Sequence, residues 1–174
     1  MHDGENAAMK EFYTLYIDYL TGVCARYIDQ DDDLKDVLQD GIVKIITRIR
    51  EFNYRGPGSL QAWATRIVVN QSLSFLKNRQ RNGFASLVAD VPDEKEIDDP
   101  PIRDVPAEVI HQMVRELPEG YRMVFNLFVF ENKSHQEIAQ LLGIKKDSSA
   151  SQLHRAKNLL ARKIEMYNHS MEPR

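Results

Sequence analysis

The chain has 174 residues, 43% hydrophobic and 28% charged, with a net charge of −3, which suits one or two small domains with modest cores. Its single cysteine, Cys24, excludes an intramolecular disulfide framework and fits a reducing compartment. No apolar run is long enough to cross a bilayer and no signal-peptide pattern opens the chain, so a cytoplasmic protein without direct membrane insertion is expected.

Residues 1–8 are polar and expected to fray. Over residues 9–28, Phe12, Leu15, Tyr16, Tyr19, Leu20 and Val23 keep a helical spacing, and Cys24 among them reads as a small buried side chain. A polar turn follows at residues 30–33. Its three aspartates lack the His or spaced carboxylates of a ligand set and suit a helix start, so neither a metal nor another cofactor is expected. Residues 34–52 form the strongest predicted helix, with Leu34, Val37, Leu38, Ile42, Ile45, Ile46 and Ile49 as an apolar stripe. Its other face carries Asp36, Gln39, Asp40, Lys44 and Arg48; taken alone, that is a solvated face.

The stretch NYRGPGS at residues 53–59 is a loop, because two glycines and a proline permit no regular element there. It carries Tyr54 and Arg55. Residues 60–81 read as one helix that contains Trp63, Ile67, Val68, Leu73 and Leu76 and ends in the basic run KNRQR. Trp63 fits either a core anchor or a binding surface. A basic helix beside a loop that presents an aromatic and a cation suits single-stranded DNA, whose bases stack while its phosphates are neutralised.

Residues 83–107 hold four of the seven prolines, many acids and no apolar period, and are expected to be a flexible linker between domains at 9–82 and 108–168. A short helix over 108–117 places Val109, Ile110, Met113 and Val114 inward. Pro118 suits the first position of the next helix, 119–131, which is apolar at Val124, Phe125, Leu127, Phe128, Val129 and Phe130.

Residues 134–163 read as two helices joined by a tight turn. Ser134 and Glu137 have capping-box spacing, Ile138, Leu141 and Leu142 share a face, and Gly143 stands where a helix ends in a left-handed residue. Asp147 or Ser148 is expected to cap the second helix, whose apolar side is Leu153, Ala156, Leu160 and Ile164. Ser148, Ser151, Arg155, Asn158 and Arg162 fall opposite, as short or forked hydrogen-bonding groups suited to a major groove. The net charge hides a segregation. Residues 85–108 contribute −6 and leave +3 on the rest, concentrated in 66–81 and 145–163.

In this order and spacing, the motifs resemble the extracytoplasmic-function (ECF) sigma factors of the sigma-70 family, the bacterial RNA polymerase subunits that select promoters. Residues 12–81 are similar to sigma region 2 through DDLKDVLQDGIVKIITRI, the loop before SLQAWATRIVVN, and LKNRQR. Residues 109–164 are similar to region 4 through LPEGYRMVFNL, SHQEIAQLLGI and SQLHRAKNLL. The resemblance implies an all-α protein: a region 2 helix bundle and a region 4 helix-turn-helix joined by the acidic, Pro-rich linker. It implies that Asp36, Gln39, Asp40 and Lys44 dock on core RNA polymerase. It assigns the −10 element to Asn53, Tyr54, Arg55, Trp63, Arg66, Asn70, Lys77, Arg79 and Arg81, with a flipped base held by the loop. It assigns the −35 element to Lys146, Ser148, Ser151, Gln152, Arg155 and Asn158. The implied partners are core RNA polymerase, promoter DNA and an anti-sigma factor, with no small-molecule substrate.

Three positions depart from the family pattern: Ser74 replaces a frequent aspartate, Ser149 a frequent valine and Gln152 a frequent arginine. They leave the promoter sequence unread. A one-component regulator that binds a palindrome as a dimer is the alternative, and a helical adaptor is a third reading. An enzyme is not expected: His2, His111, His135, His154 and His169 are scattered, with no nucleophile–base pair or phosphate-cradling glycine loop.

Overall fold

The computed structural model describes residues 2–79 and 105–171. Arg81 and most of the predicted linker lie outside the described residues. Seven α-helices are found among those described, in two compact units divided after Arg79.

The first unit holds α1 (His2–Ala25), α2 (Asp31–Arg48) and α3 (Ser59–Arg79), with a 3₁₀ turn over Ile49–Glu51 after α2. Helix α1 starts well before the predicted residue 9, because a helix nucleated by packed turns propagates cheaply through residues such as Ala7 and Ala8. Its core is Leu20, Val23, Cys24, Tyr27 and Ile28 with Val37, Leu38 and Ile45 of α2 and Ala64, Val68, Leu73 and Leu76 of α3. Each Val, Leu or Ile side chain among them contributes about 1.5–3 kcal/mol on burial. Burial also pushes the Cys24 thiol up, a shift opposed in part by Ser72 Oγ 3.7 Å away. Asp31, Asp32 and Asp33 occupy the first turn of α2, as the dipole favours.

Part of the predicted apolar stripes stays outside. Leu15 is 64% exposed, Tyr19 42% and Ile49 43%. Three helices cover one face of each other, so a stripe wider than that face overhangs it. The overhang leaves an apolar groove of about 370 Å³ lined by Met9, Phe12, Ile45, Ile46, Ile49 and Leu60.

The second unit contains α4 (Ala107–Arg115), α5 (Glu119–Val129), α6 (His135–Leu142) and α7 (Lys146–Met171). Val105, Met113, Val114, Leu117 and Tyr121 pack with Ala156, Leu160 and Ile164 of α7. Val105 is 8% exposed, so the end of the predicted linker belongs to this core. Pro118 serves as the N-cap of α5 rather than its first helical residue. Arg122 is buried and donates from Nη1 to the Arg115 carbonyl at 2.6 Å, which ties α5 to the end of α4. Lys163 Nζ reaches Glu116 at 2.6 Å and ties α7 to the same corner.

The helix-turn-helix forms as its local signals dictate. The Ser134 N–H donates to Glu137 Oε2 at 2.8 Å, and the Glu137 N–H donates to Ser134 Oγ at 3.3 Å, which completes the capping box. Gly143 closes α6 at φ 68°, a left-handed conformation that costs glycine little, and the Ile144 N–H returns to the Ala139 carbonyl at 3.1 Å. Helix α7 begins at Lys146, ahead of the predicted caps at Asp147 and Ser148, with the Ser149 N–H bonded to the Lys145 carbonyl at 3.1 Å.

The cap has a pH signature. The Ser134 N–H, then its hydroxyl and Lys133, hold the Glu137 carboxyl below the usual carboxylate range. A carboxyl depressed in the folded state contributes stability that is present above its unfolded pKa and is lost as pH falls through the folded pKa. Glu137→Gln is therefore expected to lose less stability than the parent chain when urea melts are repeated from neutral pH down through the acid range. Equal acid sensitivity in both chains would show that the cap carboxylate is not titrating as described.

Candidate nucleic-acid interface

In the first unit, α3 displays Arg66, Asn70 and Lys77 on its exposed surface at spacings of four and seven residues. Those spacings place them in one stripe along the helix, with the exposed Ser74 between. The apolar residues Ile67, Val68, Leu73 and Leu76 occupy the other face and hold the stripe outward. Arg79 is also exposed, but it is directed to Asp33 at 3.3 Å, at the start of α2.

The loop before α3 is tied by Ser59, whose N–H donates to the Gly56 carbonyl at 3.2 Å. Ser59 Oγ accepts the Arg55 N–H at 3.2 Å and donates to the Gly56 carbonyl at 2.7 Å. Gly56 and Gly58 take φ of 115° and 80°, which a Cβ would make strained. The result presents Asn53, Tyr54 and Arg55 outward, with Tyr54 66% exposed. Trp63 lies half-buried just inside α3, its ring 5.4 Å from that of Phe52 at 49°. It thus packs against the loop stem and remains partly exposed.

The polar face of α2 presents Asp36, Gln39, Asp40 and Lys44, all exposed. A residue absent from the predicted set joins two of them. Gln71 of α3 accepts from Lys44 Nζ and donates to Asp40 Oδ2 at 3.2 Å. Contacts between side chains 27 and 31 residues apart leave no local sequence signal.

In the second unit, α7 presents Lys146 and Ser151 as exposed and Ser148, Arg155 and Asn158 as half-buried. Gln152 has to leave this face. It is 4% exposed, because it stands three residues after the fully buried Ser149 and four before the fully buried Ala156, on the inward side. His154 takes a place on the outward side instead, exposed and with Nε2 3.2 Å from Asn158 Nδ2. Its spacing of three from Ser151 and four from Asn158 is the signal that would have found it.

Among the described residues no cluster of three or more His, Cys, Asp or Glu side chains has the arrangement of a metal site. No described helix is long and apolar enough to cross a membrane.

Comparison with known proteins assigns both units. The model described as "Sigma-70 region 2" matches residues 12–82, and that described as "Sigma-70, region 4" matches residues 107–160. The chain belongs to the sigma-70 family. It is similar to the RNA polymerase sigma-H factor of Pseudomonas aeruginosa, 24% identical over 93% of this chain and 89% of the relative. It is also similar to the ECF RNA polymerase sigma-E factor of Haemophilus influenzae, 23% identical over 95% and 92% of the two chains. Among solved structures, the sigma factor in a Bartonella quintana complex of a sigma factor with an anti-sigma factor shares the fold. Its TM-score is 0.52 at 19% identity, over 90% of this chain and 96% of that one. The first unit of this sigma factor is therefore region 2, and the helix-turn-helix belongs to region 4.

Proposed function

We propose that this ECF sigma factor directs promoter-specific initiation through a two-point grip: residues 9–82 hold core RNA polymerase and the −10 DNA, and residues 108–168 read the −35 element. One observation carries the division of labour. The pinned loop and the Arg66, Asn70 and Lys77 stripe occur on region 2, while an outward row of short polar groups and Arg155 occurs on the recognition helix of region 4.

The chemistry follows from what each surface offers. Cations along α3 neutralise phosphates, and the loop offers an aromatic ring and a cation to a base. A base reaches such a loop only from unpaired DNA. Binding free energy realised in that state alone favours melting, much as binding to a transition state favours a reaction. On α7, Ser148, Ser151, Arg155 and Asn158 are of the types that bond base edges and phosphates in a major groove. The α2 face of Asp36, Gln39, Asp40 and Lys44 is assigned to the polymerase, with Gln71 holding Asp40 and Lys44 in register. Polymerase and promoter place the protein in the cytoplasm, and an anti-sigma factor is the expected regulator.

The test is reconstitution: the purified chain with core RNA polymerase and a pool of promoter fragments, read out as specific transcripts. Transcripts that require the chain support the reading. A chain that binds a palindrome on its own and never associates with core enzyme overturns it. Within that assay, Asp40→Arg is expected to weaken association with core enzyme about tenfold, the factor that corresponds to 1.4 kcal/mol. Discrimination among −35 sequences by the assembled holoenzyme is expected to stay unchanged. Unaltered core binding in Asp40→Arg removes this face from the docking surface.

A further inference from the structure

Ser149 presents an unusual problem. It stands inside the first turn of the recognition helix, fully buried, where a hydroxyl has no water to satisfy it. The structure satisfies it across the turn of the helix-turn-helix: His135 Nδ1 lies 2.9 Å from Ser149 Oγ. His135 is the first residue of α6 and is itself half-buried, its ring stacked on Phe128 of α5 at 5.0 Å and 22°. The same Phe128 ring receives Lys157 of α7, whose ammonium sits 5.9 Å from its centroid. Three helices thus meet at one ring and one part-buried hydrogen bond.

We propose that His135 is a positioning residue for the recognition helix, acting through Ser149 to set the angle at which α7 presents Ser148, Ser151 and Arg155 to the −35 element. The proposal rests on the reading of α7 as the −35 helix. Its physical content is directional. Apolar packing between α6 and α7 tolerates sliding and rotation, whereas a part-buried hydrogen bond at 2.9 Å to the fully buried Ser149 tolerates little of either. Both neighbours of Ser149 along the chain are informative here. Ser148 precedes it on the outward side and Ala150 follows it into solvent, so a rotation of the first turn moves the reading face directly. Without its imidazole partner, the Ser149 hydroxyl can turn back to the carbonyl one turn earlier, a bond that bends helices. The stacked Phe128 ring fixes the imidazole plane, so His135 is itself held before it holds Ser149.

The experiment uses the full chain with core RNA polymerase. The DNA is a fragment selected from a pool randomised over the −35 element, compared with the same fragment carrying a scrambled −35. The ratio of open-complex formation on the two is the readout, and melting of each variant by circular dichroism is followed alongside. His135→Phe keeps the stack and removes the hydrogen bond; it is expected to lower the ratio by about tenfold, the scale of one lost hydrogen bond. His135→Asn keeps a hydrogen-bonding atom near the Nδ1 position and is expected to stay within about threefold of the parent. The double variant His135→Phe with Ser149→Ala removes both polar partners and is expected to recover most of the lost ratio.

That recovery is what a general weakening of the fold cannot produce. If His135→Phe proves too unstable to assay, the Asn variant and the double variant decide the matter between them. A parent-like ratio in His135→Phe overturns the proposal, as does a double variant no better than the single one. A parent chain indifferent to scrambling of −35 removes the reading of α7, and the proposal falls with it by a separate and recognisable route.

Discussion

Arg155→Ala is expected to lower transcription that depends on the proposed −35 contact roughly five- to 150-fold, the span of 1–3 kcal/mol for a lost side-chain contact to a base edge, and to leave core polymerase binding unchanged. Arg155 is half-buried on α7, four residues after the exposed Ser151 and three before Asn158, on the same face of the helix as both. Its neighbour three residues earlier gives the internal control. Gln152 is buried at 4% exposure, and Gln152→Ala is expected to lower the melting temperature of region 4 without favouring one −35 sequence over another. The measurement is in vitro transcription from templates with intact and scrambled −35 elements, alongside a core-binding assay. Equal losses on the two templates would take Arg155 out of sequence reading and leave it a phosphate contact.

The different fates of Arg155 and Gln152 show what was readable before the structure. Helical rotation alone places Ser148, Ser151, Arg155 and Asn158 outward, and none of these is buried. Only the family resemblance, at a position often filled by arginine, points to Gln152. A side chain is aimed by the helix it stands on, and at 100° per residue Gln152 shares the side of Ser149 and Ala156. The capping box and Gly143 were legible for a similar reason: both act through backbone groups within four residues. The start of α7 was not, because Lys145 and Lys146 carry no capping chemistry and the turn is set by the Ser149 N–H reaching Lys145.

Longer connections escaped the sequence altogether. Gln71 reads as one more polar residue on α3, and only the packing of α2 on α3 brings it to Asp40 and Lys44. His135 reads as one of several scattered histidines until the turn folds and brings Ser149 to it, 14 residues on. The loop at 53–59 was recognisable as irregular from its glycines and proline. That Ser59 would both accept from Arg55 and donate to Gly56 depends on a backbone path no composition specifies. Burial was legible in period but not in extent. Leu15, Tyr19, Ile46 and Ile49 keep the helical spacing of core residues and lie at least 37% exposed, because extent depends on how many neighbours come to cover a face.

The contact between α2 and α3 yields the other large expected effect. Gly41 lies buried on α2, and a Cβ there meets Val68 Cγ2 at 3.3 Å and Val68 Cα at 3.8 Å. Alanine is nearly accommodated: Val68 has to yield by a few tenths of an ångström, against which the helix gains about 1 kcal/mol from replacing glycine. Gly41→Ala is therefore expected to stay within about 1 kcal/mol of the parent. Leucine is not accommodated, since its branch has to displace the Val68 side chain or the α3 backbone behind it, and Gly41→Leu is expected to destabilise region 2 by about 2–3 kcal/mol. The only tryptophan of the chain, Trp63, lies in this unit against Phe52, so urea melts followed by its fluorescence report region 2. The functional loss should exceed what partial unfolding explains, because Gly41 directly follows Asp40 on the proposed polymerase face while Val68 lies between Arg66 and Asn70 on the proposed −10 face. A leucine that forces the two helices apart moves both surfaces at once. A Gly41→Leu chain that melts with the parent would mean that α3 shifts freely on α2, and that the two faces are not held in register by this contact.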